Sequence, residues 1–280
     1  MTMKTILIPS EQHEMFGSIL ATAELFARRF DSYMEGLAAW PSFASFVAVD
    51  PMGAAAIPRD TWQDAELANK TRAAFESFMK ERGIAAAGTP RKGLSYGWSE
   101  GEPVADSFVA SRGRVFDITV VGRPSSTSAS PRMSTLEAAL FESGRPILIA
   151  PPQPPTSLGD NVVIAWNQSS ETARTVALAM PILAKAKQVT VLTIEGGIVP
   201  GPTGRELADM LTVNGIAANE LTKSSDGAST GQAILANAAE LGADLIVKGA
   251  YTQSRIRQMI FGGATSHLLW ATELPIFMAN

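Results

Sequence analysis

Apolar residues along the chain gather into short runs of the buried-strand type, separated by stretches in which they recur at helical spacing. In the C-terminal half the runs are Val162–Trp166, Val189–Ile194, Ile216–Leu221, Leu245–Lys248 and Pro275–Met278. Helical periodicity fills the intervals at Ser170–Ala184, Gly204–Val213, Thr230–Leu241 and Thr265–Trp270. Strand and helix in alternation predict a parallel sheet covered on both faces, because parallel strands need long crossovers and helices supply them. Ligands of such sheets bind beyond the carboxyl ends of the strands, where the strand order reverses, so the strand ends are where chemistry is expected.

The pattern occurs twice. Val115–Gly122 and Ala243–Gly249 both run apolar from an aspartate (Asp117, Asp244) to a glycine (Gly122, Gly249), 127 positions apart. Ser143–Ala150 resembles Thr272–Ala279 at an offset of 129, and Ile6–Gln12 resembles Val162–Gln168 at 156. The jump in offset places an insertion inside the first copy, at Pro41–Asp60, where prolines, alanines and aromatics break any helical period. Between the copies, Pro151–Asp160 carries Pro151, Pro152, Pro154 and Pro155 without periodic apolar positions and predicts a stiff, extended connector. The expected fold class is therefore α/β, two tandem doubly wound five-stranded parallel-sheet domains of Rossmann-like type. The first domain spans 1–151, the linker 152–160 and the second domain 161–280.

Composition narrows the function classes. The 280 residues are 46% hydrophobic and 18% charged, which suits two globular domains and leaves little room for extended disorder. A formal charge of −4 and a pI near 5.3 give no basic surplus for nucleic acid or an anionic membrane, and neither is expected as a partner. Absence of cysteine excludes disulfides, thiolate catalysis and cysteine-ligated zinc. The apolar run Ile6–Ile8 is too short for a signal-peptide core, and the uncharged stretch from Gly36 to Val49 is interrupted by Pro41 and short of the roughly 20 residues of a membrane span. A cytoplasmic protein is expected.

The most informative stretch runs from Lys248 to His267. Gly249 is expected to turn the chain sharply off its strand, and Gly262 with Gly263 to let the backbone approach a ligand closely. The amides from Gly262 to Thr265 would be unpaired first-turn donors at the positive end of a helix dipole, which makes an anion site. From Lys248 to Thr272 there is no acid, while Lys248, Arg255 and Arg257 are basic. Of the two arginines, Arg255 is the better phosphate contact and Arg257 reads as solvated.

On these residues the sequence resembles the universal stress protein family in its tandem form, over nearly the whole chain outside the insertion and linker. Gly249, two residues, Thr252, nine residues, Gly262 and Gly263 occupy the frame of that family's nucleotide loop, continued by Ala264 and Thr265. The resemblance implies ATP or a related adenine nucleotide, with or without Mg²⁺, as ligand. It implies that Ala165, Trp166 and Asn167 border adenine and ribose, that Ile194 packs on the base, and that the last strands of the two copies meet to form an internal pseudo-dimer. A homodimer of whole chains is a further assembly compatible with it. Thr252 departs from the family's second glycine, Gly263 from its hydroxyl residue, and Asn167 from an acid that commonly ends the first strand. In the first copy the frame opens with Gly122 and Ser125, but Met133 and Ser134 replace the glycine pair and Glu11 stands at the place of Asn167. The cradle there is expected to be lost, with Glu11 repelling phosphate.

Other motifs read more plainly. Gly227-Ala-Ser229-Thr230-Gly231 fits the pattern of a hydrolase nucleophile elbow, but a loop precedes it, so Ser229 or Thr230 is expected as a helix N-cap. His13 and His267 read as packing or surface residues, and Trp166 as packing rather than a base-stacking platform. No catalytic residue is assigned and no metal site. The first choice is a sensory or regulatory nucleotide-binding protein; a slow ATP hydrolase and a ligand-free interaction scaffold are the alternatives.

Overall fold

The structure is a computed structural model that describes residues 3–39, 61–100, 104–124, 130–250 and 263–280. The insertion expected at Pro41–Asp60 lies outside them. Eleven strands form one sheet among the described residues: β1 (Thr5–Ser10), β2 (Tyr33–Ala38), β3 (Ala85–Ala86), β4 (Ser95–Trp98), β5 (Ile118–Gly122), β6 (Ile147–Ala150), β7 (Asn161–Ala165), β8 (Gln188–Ile194), β9 (Ala218–Lys223), β10 (Leu245–Gly249) and β11 (Ile276–Ala279). Their order across the sheet is β3-β4-β2-β1-β5-β6-β11-β10-β7-β8-β9. Every pairing is parallel except the central one, where β6 meets β11 antiparallel with Leu148 opposite Phe277. The α/β class and the tandem, parallel-dominated arrangement hold, and the two sheets are continuous through that seam.

Among the described residues the helices are α1 (Phe16–Phe30), α2 (Thr61–Glu81), α3 (Asp106–Gly113), α4 (Met133–Glu142), α5 (Ser170–Leu183), α6 (Gly204–Val213), α7 (Thr230–Glu240) and α8 (Gly263–Ala271). They cover both faces. On one, α1, α2, α5 and α6 bury Phe26, Phe75, Ile182 and Leu211 against alternate strand residues such as Ile8, Leu148, Ile164 and Phe277. On the other, α4, α7 and α8 bury Leu140, Ile234 and Leu268 against Ile149, Val163, Ile246 and Ile276. Both cores run unbroken across the seam, because strand residues of alternating parity face each layer on either side of it.

One sequence expectation gains detail and another shifts. The linker packs closely: Leu158 is buried, and Arg29 of α1 donates to Asp160 Oδ1 (2.8 Å), Gly159 O (2.7 Å) and Lys185 O (2.6 Å). The strand expected at Ile216–Leu221 begins two residues later. Gly215 takes a left-handed φ of 78° after α6, and Ile216 N donates to Leu211 O (2.9 Å), so the apolar side chain of Ile216 closes the helix end.

Candidate functional site

In the second half the chain runs outward from β7 to β8 and β9, then returns to the other side of β7 with β10. The order therefore reverses between β7 and β10, and their carboxyl ends mark the switch point where ligands of this architecture bind. Ala165, Ile194 and Gly249 end three adjacent strands there. Ala165 and Ile194 are both buried on the α7/α8 face.

Trp166 is buried on the opposite face, and its indole Nε1 donates to Pro202 O (2.9 Å). This is the packing role. Asn167 Oδ1 accepts from Ser169 Oγ (2.8 Å) and Thr172 Oγ1 (2.5 Å), so that oxygen is committed to the first turn of α5, where Ser169 is the N-cap. Gly249 does not take a positive φ; a Cβ on it would lie 2.5 Å from Thr172 N and 2.7 Å from Glu171 C. The glycine lets the N-terminus of α5 press on the strand end, and the turn expected after it falls on residues outside the described ones. Gly263, Ala264 and Thr265 open α8, with Thr265 buried. Thr252, Arg255 and Gly262 lie outside the described residues.

Lys248 emerges as a residue the sequence shows only as basic. It is buried at the end of β10, and its ammonium donates to Gly249 O (3.1 Å). Burial pulls its pKa down to about 8. An ammonium in apolar surroundings is costly unless an anion meets it.

The corresponding place in the first half is filled from within. Here the order reverses between β1 and β5. Glu11, just past β1, accepts from Ser130 Oγ (2.9 Å) and from Thr135 Oγ1 in the first turn of α4 (3.3 Å). Arg132 Nη2 lies 3.2 Å from Glu11 and 2.8 Å from Asp106. Burial pushes the Glu11 carboxyl up, against the lowering effect of Arg132. Glu11 thus sits in the anion seat at a helix start as an internal partner of Arg132, Ser130 and Thr135, rather than as a lone repelling charge. A Cβ on Gly122 would meet Pro131 and Ile19 side chains, so the chain doubles back tightly over the end of β5. Next to this cluster a cleft of about 150 Å³ remains, lined by Ser10, Ala39, Leu67 and Thr71 among others.

The remaining motifs are structural. Ser229 caps α7 in a reciprocal capping box with Gln232. His13 Nδ1 accepts from Met15 N (3.1 Å), and burial lowers its pKa to about 4. Among the described residues no group of three or more metal-ligating acids or histidines occurs, and no helix is long and apolar enough to cross a membrane.

A doubly wound α/β sheet repeated in tandem, with a switch-point site in each half, defines the class. Known structures carry the same fold. A universal stress protein from Archaeoglobus fulgidus DSM 4304 matches over 100% of this chain and 99% of its own, with a TM-score of 0.73 and 15% identity. A putative universal stress protein from Pseudomonas aeruginosa matches over 99% and 93% (TM-score 0.56, 15% identity), and a functionally unknown protein from the same species over 99% and 92% (TM-score 0.57, 14% identity). No protein-family model and no curated protein matches the sequence. The chain has the tandem universal-stress-type fold; at these identities the likeness is one of fold.

Proposed function

We propose that the second half binds ATP or a related adenine nucleotide at the β7/β10 switch point, and that the chain works as a sensory or regulatory protein rather than as an enzyme of rapid turnover. The observation that carries this reading is Lys248. It holds a buried positive charge at the strand end beside Gly249, where the dipole of α5 also points, in a stretch that contains no acid from Lys248 to Thr272. Ala165 and Ile194 supply the apolar floor for a base, and the amides that open α8 supply donors for phosphate. In this reading the first half, with Glu11 in its anion seat, leaves the nucleotide to the second and serves as its structural partner across the β6/β11 seam.

The test is to denature freshly purified protein, identify any released nucleotide by chromatography, and titrate ATP with Mg²⁺ into wild type and Gly262→Asp. One adenine nucleotide per chain, lost in the variant, is the expected result. No released nucleotide and no heat of binding would leave a ligand-free scaffold. Steady release of ADP on the scale of seconds would make the chain an ATP hydrolase.

A further inference from the structure

The opposite edge of the sheet carries a second concavity. At the amino ends of β1 and β2, closed by the loop before β4 and the turn after α3, lies a cleft of about 520 Å³, within the size range of small-molecule sites. Four cationic side chains line it, Lys4, Arg91, Lys92 and Arg112, against the single carboxylate of Asp31.

Its construction is specific. Glu35 is buried in β2 behind the cleft, and Arg112 donates to its Oε1 from both Nε (2.9 Å) and Nη2 (2.6 Å). The Tyr33 hydroxyl donates to Oε2 (2.9 Å), and Arg91 Nη1 reaches the same oxygen at 3.4 Å. The carboxylate is thereby fully engaged, and it fixes two guanidinium groups. Arg91 also lies 4.6 Å over the Tyr33 ring, and Arg112 lies 5.3 Å over Phe116. Both arginines keep accessible surface, with side chains 57% and 33% exposed, so donors not spent on Glu35 remain available. Lys4 is occupied with Phe30 O (2.6 Å) and Asp31, whereas Lys92 makes no ion pair among the described residues. Counting Glu35, Asp31 and Asp117, which accepts from the Lys4 and Thr5 amides at the cleft, against the four cations still leaves a positive balance at one place on a chain whose formal charge is −4. Held forks of this kind favour planar or tetrahedral oxyanions, because little side-chain entropy is left to lose on binding.

We infer that this cleft is an anion-binding site for a small phosphomonoester dianion with an apolar body, separate from the candidate nucleotide site at the carboxyl edge. The positive balance draws an anion, and the two guanidinium forks suit the oxygens of a phosphate. Tyr33 and Phe116 offer apolar surface beside the charges.

The probe is phenyl phosphate, with inorganic phosphate as the body-less comparison, titrated calorimetrically into wild type, Arg91→Gln/Lys92→Gln and Gly262→Asp. Wild type should bind phenyl phosphate at about 1 mM or tighter, and inorganic phosphate more weakly. The double variant should lose at least about tenfold in affinity through the removal of two charge-assisted contacts, and it should stay folded in a thermal scan, because Arg112 and Tyr33 still engage Glu35 when the longer 3.4 Å contact from Arg91 is gone. It should keep ATP binding, and Gly262→Asp should keep phenyl phosphate. Equal binding by wild type and the double variant, or none by either, overturns the inference. Phosphate binding lost in Gly262→Asp and kept in the double variant would move the anion to the second-half site and overturn it equally. Failure of ATP to bind anywhere leaves these outcomes readable, since phenyl phosphate is scored on its own.

Discussion

Asp117 and Asp244 hold the same post in the two halves: each precedes an inner strand and binds the amides that start the first strand of its own half. Asp117 Oδ2 accepts from Lys4 N (2.7 Å), Thr5 N (3.0 Å) and Thr5 Oγ1 (3.1 Å). Asp244 accepts from Gly159 N (2.9 Å), Asp160 N (3.1 Å) and Asn161 N (2.9 Å). The aspartates that reveal the repeat in the sequence are thus clamps between strands distant in the chain.

Each clamp should be worth measuring separately. Asp117→Ala and Asp244→Ala are expected to lose about 2–3 kcal/mol each in urea unfolding, since three donors lose a charged acceptor at once. Asn in either place should recover part of the loss. A change below about 0.5 kcal/mol, the scatter of ordinary surface substitutions, would refute the clamp.

The two strand-end glycines should differ in tolerance. A Cβ on Gly249 meets helix backbone at Thr172 N, while one on Gly122 meets the side chains of Pro131 and Ile19. Side chains yield more readily than a packed helix start, so Gly249→Ala should cost about 2–3 kcal/mol and Gly122→Ala less, within the usual range of overpacking. Paired denaturation curves check the order.

Lys248 gives a pH dependence of definite sign. Its folded pKa of about 8 lies below the unfolded value of about 10.4, so between these limits the unfolded state binds more protons and stability rises with pH. Below pH 8 the full cost of the buried charge is present. Lys248→Met should abolish this rise and gain roughly 1–3 kcal/mol at pH 7. If the nucleotide reading holds, the same variant should bind ATP about tenfold more weakly, by loss of a charge-assisted contact.

Glu11 has the opposite sign. Its folded pKa is raised, so the folded state holds the proton more firmly, and the resulting stability is present at low pH and lost as pH rises through the folded pKa. Relative to Glu11→Gln, wild type should therefore lose stability across the window just above the ordinary carboxylate range. Parallel curves for the two proteins through that window would contradict the burial of the acid.

Sequence reasoning reached far in the second half because its signals are local. The helix Gly204–Val213 falls where its periodicity places it, since the Thr203–Glu206 capping box starts it and Asn214 ends it. Ile216 closes a helix rather than opening a strand, and an apolar residue in either place looks alike in one dimension. The first half was less legible: β3 is two residues long, and Glu35 is a buried acid in a strand core, which no alternation pattern announces. At the candidate site, the glycine frame and the strand ends could be named, but Thr252, Arg255 and Gly262 lie outside the described residues.

Alternation of apolar runs with helical periods, and the repeat of aspartate and glycine at fixed offsets, are properties of neighbouring residues. The sequence by itself therefore determined the α/β class, the tandem plan and the strand ends where a site belongs. Tertiary structure alone decided that the expected meeting of β6 and β11 is antiparallel and makes one continuous sheet, that Glu11 fills the anion seat of the first half, that Lys248 is buried beside Gly249, and that Lys4, Arg91, Lys92 and Arg112 converge on one cleft. Each of those depends on which distant residues share a dry or crowded space, and burial and charge proximity are set by packing rather than by order along the chain.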